Sequence, residues 1–72
     1  MDINEQKGKA YDVFQKIKLT LEEDVQEQLN DLKGVVPEEW EDTYQYIEAM
    51  QRHIDNMKGA VEFGVSTVEH KS

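Results

Sequence analysis

The stretch GVVPEEWEDTYQYIEAM, Gly34 to Met50, decides how this chain folds. It holds the single proline, five acids, no base and three of the six aromatic residues. Glycine directly after a basic residue, as in Lys33-Gly34, is a helix-stop pattern. Proline suits the first position of a new helix. Glu38, Glu39 and Glu41 then place negative charge at the positive end of that helix's dipole. One helix stopping at Gly34 and another starting at Pro37 leave only a short connection, which predicts an antiparallel hairpin.

Working back towards the N-terminus, Ala10, Phe14, Ile17, Leu21, Val25 and Leu32 form an apolar stripe, with Leu29 at its edge. Ala10 to Leu32 is about 3.67 residues per turn, near the period of a straight helix. A helix over about residues 4–33 is expected. Leu19 falls nearly opposite the stripe, and Thr20-Leu21-Glu22-Glu23 has capping-box spacing, with Thr20 as N-cap and Glu23 three positions on. A break near Thr20, giving a three-helix monomer, is therefore the alternative to a continuous helix.

Working forward, Trp40, Ile47, Ile54, Val61 and Val68 recur every seven residues, with Thr43, Met50, Met57 and Gly64 at the alternate positions. This 3-4 spacing predicts a helix over about 37–68 that packs as a coiled coil does. Lys58-Gly59 has the form of a helix stop, and Val61, Phe63 and Val65 alternate as a strand would. Helix is favoured here, since a lone strand would leave its backbone groups unpaired.

Seventy-two residues amount to one domain, residues 1–72, and an all-α one: Glu, Gln, Lys and Met are plentiful and breaks are few. A chain this short usually needs support beyond its own core. It has no cysteine, which excludes disulfides and thiolate zinc sites. It shows no membrane-spanning run and no apolar leader in MDINEQKGKA, so a cytoplasmic location without membrane association is expected.

Two helices bury one seam. Phe14, Ile17, Leu21, Ile47, Met50, Ile54 and Met57 are too many large apolar groups for one seam to cover, each being worth about 1.5–3 kcal/mol when fully buried. Val25, Leu32, Trp40 and Val61 complete the expected apolar seam. Pairing two hairpins into a four-helix bundle would bury the surplus, so a homodimer is expected ahead of a foreign protein partner, and that ahead of a closed monomer.

The net charge of −8 is unevenly spread. Glu22 to Glu48 carries ten acids against Lys33 alone, a net −9, while the rest of the chain is +1. In a hairpin turning near Gly34 the acids gather at the apex. Helix-dipole matching and solubility explain part of this. The rest points to docking on a basic surface, with Glu38, Glu39, Glu41, Asp42, Tyr44 and Tyr46 as the candidate partner-binding residues. Direct binding to nucleic acid is not expected of so acidic a chain, although an acidic rod that mimics DNA and inhibits a DNA-binding protein is an alternative.

No catalytic constellation emerges. His53 and His70 lie in no Glu-x-x-His or His-x-x-x-His pattern, and no phosphate-binding glycine loop or calcium loop is present. No enzyme, cofactor or metal is expected. His53 flanks the second stripe and reads as a boundary residue.

Gly34-Val35-Val36-Pro37-Glu38-Glu39-Trp40, followed by Ala49-Met50, resembles the small helical-hairpin co-chaperones of type III secretion needles. The resemblance implies a hairpin that escorts another protein, and it carries no residue roles. The function expected from the sequence is a non-enzymatic protein–protein interaction module. An adaptor, small chaperone or regulatory inhibitor would fit, including one encoded by a phage or mobile element. It would act through an apolar groove and an acidic apex.

Overall fold

The computed structural model describes residues 2–71; the two end residues of the expected domain lie outside them. All regular structure within this range is helical. The elements are α1 (Ile3–Leu19), a π-helical segment (Thr20–Val25), α2 (Gln26–Val35) and α3 (Glu41–Glu69). The first three form one continuous helix, and α3 folds back along it as an antiparallel hairpin 55 Å long and 16 Å by 13 Å across. The open ends meet where Lys7 Nζ donates to the Lys71 carbonyl at 2.7 Å.

Local chemistry sets each boundary. Asp2 caps α1 by accepting the Glu5 amide at 2.9 Å, satisfying a free first-turn donor. At the other end of the long helix, Val36 is extended, at φ −85 and ψ 125. This is the conformation that a following proline imposes. Pro37 therefore ends the helix through Val36, and Gly34 does not stop it: Gly34 lies inside α2, and among the described residues no glycine has a positive φ.

The second helix also starts later than expected. Pro37 to Trp40 form a turn closed by the Trp40 amide on the Pro37 carbonyl at 3.1 Å, and α3 begins at Glu41. These residues span the gap of roughly 8–10 Å between packed helix axes. Trp40 thus precedes the helix and is 53% exposed, so it does not begin the seam. Glu41 and Asp42 occupy the first turn of α3, where acids favour the dipole. Tyr44 closes the corner. Its hydroxyl lies 3.1 Å from the Lys33 carbonyl and 3.2 Å from that of Val36, and shares its proton between them.

The chain neither breaks at Thr20 nor runs through it as a plain α-helix. Thr20 Oγ1 donates back to the Lys16 carbonyl at 2.9 Å instead of capping Glu23, a bond that perturbs the helical ladder. At the end of the π segment the Gln26 amide reaches the Leu21 carbonyl, five residues back. Packing gives this segment its purpose. In a pure α-helix Leu29 would stand about 80° from Leu21, at about 100° per residue. One residue of extra winding absorbs about 100° and brings both onto one line. Leu21 and Leu29 are accordingly both buried, while Val25, expected in the seam, is 36% exposed.

The heptad in α3 is realised in part. Ile47, Ile54 and Val61 are buried, Ile47 almost completely. Met50 and Met57 are exposed. Leu29, Val36, Ile47 and Ile54 form the core, with Leu32 and Tyr44 against it. Farther along, the half-buried Phe14 lies over Gly64, where an added Cβ would come within 2.6 Å of the ring. The region after Lys58 stays helical through Glu69, leaving Phe63 facing outward.

Candidate partner-binding face

The hairpin has two unlike sides. One carries polar cross-links between its helices. Gln26 and Gln51 exchange amide hydrogen bonds at 2.8 and 2.9 Å, Lys33 Nζ donates to Gln51 Oε1 at 3.0 Å, and Lys18 lies 3.8 Å from Glu62. The other side is an open apolar groove of about 570 Å³. Leu21, Val25, Leu29 and Leu32 supply one wall, and Met50, Ile54 and Met57 the other, with Gln28 and His53 on the rim. A shallower hollow of about 310 Å³ continues it towards the open end, lined by Val13, Lys16, Ile17, Thr20, Leu21 and Met57.

Leu21 and Met57 belong to both hollows, so the apolar surface is continuous. The apolar side chains facing it that remain wet are Val13, Ile17, Val25, Met50 and Met57. Four of them, Ile17, Val25, Met50 and Met57, belong to the expected seam. That seam is in fact two surfaces: Leu21, Ile47, Ile54 and Val61 are buried and close the hairpin, with Leu32 against the core and Phe14 over Gly64, while Ile17, Val25, Met50 and Met57 stay exposed. Alkyl groups, thioethers and a rim amide and imidazole favour apolar side chains, and methionine adapts its shape to them.

At the apex, Glu38, Glu41, Tyr44, Gln45 and Glu48 surround a hollow of about 370 Å³. Of the candidate partner-binding residues, Glu38, Glu41 and Tyr44 are brought together here. Glu39 and Asp42 are exposed outside it. Tyr44 serves the corner through its hydroxyl and is half-buried. Tyr46 is 74% exposed. Its spacing of four, seven and eleven residues from Met50, His53 and Met57 sets it on the groove side of α3. Leu29 and Gln28 do not stand out as site residues in the sequence, because the π segment displaces every position after Leu21.

Among the described residues, no group of three or more His, Asp or Glu side chains is arranged to hold a metal ion. No described helix is long and apolar enough to cross a membrane. Comparison of the chain with protein-family models, curated proteins and solved structures found no match.

Proposed function

We propose that this protein is a non-enzymatic protein–protein interaction module whose apolar groove is covered by another polypeptide and whose acidic apex favours a basic surface. The observation that carries this reading is the continuous wet face of Val13, Ile17, Val25, Met50 and Met57 on a hairpin this small. An exposed apolar patch rimmed by polar residues is the mark of an interaction site. An amphipathic helix or helix pair is the natural occupant, and two hairpins joined as a four-helix bundle would supply one.

The test joins sedimentation with apolar-dye fluorescence at micromolar concentration. The wild-type protein either self-associates or binds the dye, and Val25→Asp reduces whichever is observed. A monomer that binds no dye rejects the reading.

The segment from Glu22 to Glu48, with its net −9, supports a second reading as a DNA mimic that occupies the basic groove of a nucleic-acid-binding protein. On that reading salt weakens the complex, and converting Glu38, Glu39, Glu41 and Asp42 to amides abolishes binding to the target. Salt-insensitive binding that Val25→Asp disrupts would reject it.

A further inference from the structure

We infer that the occupant of the groove is a second copy of this chain, laid antiparallel so that the acidic apex of each hairpin covers the open end of the other. The inference rests on the reading of the groove as a protein-binding face, and it adds the partner and the orientation.

The first support is the position of the groove's centre. Phe14 meets Gly64, and Gln26 meets Gln51. Leu21 lies close to midway between Phe14 and Gln26, and Met57 close to midway between Gly64 and Gln51, so the two stand level with each other. Both line both hollows. A two-fold axis passing across the helices at this level sets α3 against α3 and the long N-terminal helix against its own copy. Each residue then faces one equally far from the centre on the opposite side. The exposed Tyr46, eleven residues before Met57, covers Val68, eleven residues after it.

The second support is charge. Lys16 lines the groove on the open-end side of Leu21. Asp24 lies on the apex side of Leu21, four residues from each of two groove-lining residues, Thr20 and Gln28, and is therefore on the same rim. Lys16 is five residues before Leu21 and Asp24 three after it, so the two-fold leaves each Lys16 about 3 Å from level with the Asp24 of the other copy, within reach of the long lysine side chain, twice per dimer. On the larger scale it lays the −9 segment, Glu22 to Glu48, along the +1 remainder of the other chain. A parallel pairing would instead set two −9 segments side by side, and like charges facing across an interface oppose association.

The third support is area. The hairpin measures 55 Å by 16 Å, an outline of about 900 Å² that bounds this face and leaves room for the roughly 800 Å² per partner of a standard stable interface. Its apolar centre and polar rim also match the usual anatomy of such an interface.

Because the chain has no cysteine, single cysteine variants report on orientation. Under mild oxidation Met57→Cys, on the axis, forms a disulfide-linked dimer that keeps its helical circular dichroism. Tyr46→Cys, at the apex, does not cross-link. Lys16→Asp and Asp24→Lys each weaken self-association about tenfold, and the two together in one chain restore it to within about threefold, because the pair is re-formed with its signs exchanged. Cross-linking through Tyr46→Cys, or failure of the double reversal to restore association, overturns the antiparallel arrangement. A wild-type protein that stays monomeric but binds an apolar dye overturns the second copy while leaving the groove as a site for a foreign protein. A monomer that binds no dye overturns both.

Discussion

Gln26 and Gln51 hold each other by reciprocal amide hydrogen bonds across the hairpin, at 2.8 and 2.9 Å, one on the first residue of α2 and the other in the first half of α3. Gln51 also accepts from Lys33 and donates to Asp55, and Gln26 donates to Asn30. The pair sits just after the π segment, where it fixes which turn of α2 meets which turn of α3. Removing either side chain breaks both bonds of the exchange, while Gln51 keeps Lys33 and Asp55 as partners and Gln26 keeps Asn30. Gln26→Ala and Gln51→Ala should each cost about 1–2 kcal/mol in urea denaturation. The double variant should cost little more than either single change; losses that simply add would show that the two amides act independently.

The glycines of α3 should respond in opposite ways to the same substitution. At Gly59 a Cβ would have nothing within 4 Å of it, whereas at Gly64 the Cβ would meet Phe14 at 2.6 Å. Gly59→Ala should therefore raise stability by about 0.5–1 kcal/mol through helix propensity. Gly64→Ala should lose that gain and about 1–3 kcal/mol more through displacement of the ring. Thermal melts of the two variants provide the check, and stabilisation at both sites would contradict the seat of Phe14 on Gly64.

The π segment makes an unusual demand on deletions. Removing the exposed Glu23 converts the segment to ordinary α-helix in length while Leu21 and Leu29 keep facing α3, so stability should change by no more than about 1 kcal/mol. Removing the exposed Asn56 rotates Val61 away from Ile54 by about 100°. That should cost about 3 kcal/mol or more in buried side chains. Equal damage from both deletions would mean that the extra residue does not set the phase.

Tyr44 and Tyr46, two residues apart, should separate stability from association. Tyr44→Phe removes the hydroxyl that serves the Lys33 and Val36 carbonyls and should cost about 0.5–1.5 kcal/mol in dilute solution. Tyr46→Ala, at a 74% exposed position, should leave the unfolding free energy of the dilute protein within about 0.5 kcal/mol and weaken association. A loss of fold stability at Tyr46 comparable to that at Tyr44 would contradict this division.

Much of the hairpin is legible in the sequence because it rests on local rules: the seven-residue spacing of Ile47, Ile54 and Val61, and a turn around the one proline. The boundaries shift because competing residues share the turn. Pro37 acts backward on Val36, which makes Gly34 unnecessary as a stop and moves the helix start to Glu41. The capping-box pattern at Thr20 marks a real irregularity, but its form depends on tertiary packing: the π segment exists to align Leu21 with Leu29, and no local rule states that need. The same shift explains why Val25 looks like seam in the sequence and Leu29 like its edge. The groove is legible as a surplus of apolar residues, and its walls emerge only once that phase is known. Tyr44 and Tyr46 look alike in sequence because both flank the stripe. Only Tyr44 finds two free carbonyls within reach.

The most direct measurement of the central claim, that the open groove is a protein-binding face occupied by a second copy, is sedimentation equilibrium of wild type and Val25→Asp across the micromolar range. The wild-type mass should rise with concentration to twice that of the chain, while Val25→Asp stays at the single-chain mass with unchanged helical circular dichroism. A wild-type protein that remains a monomer throughout would contradict the claim, as would a dimer that Val25→Asp leaves intact.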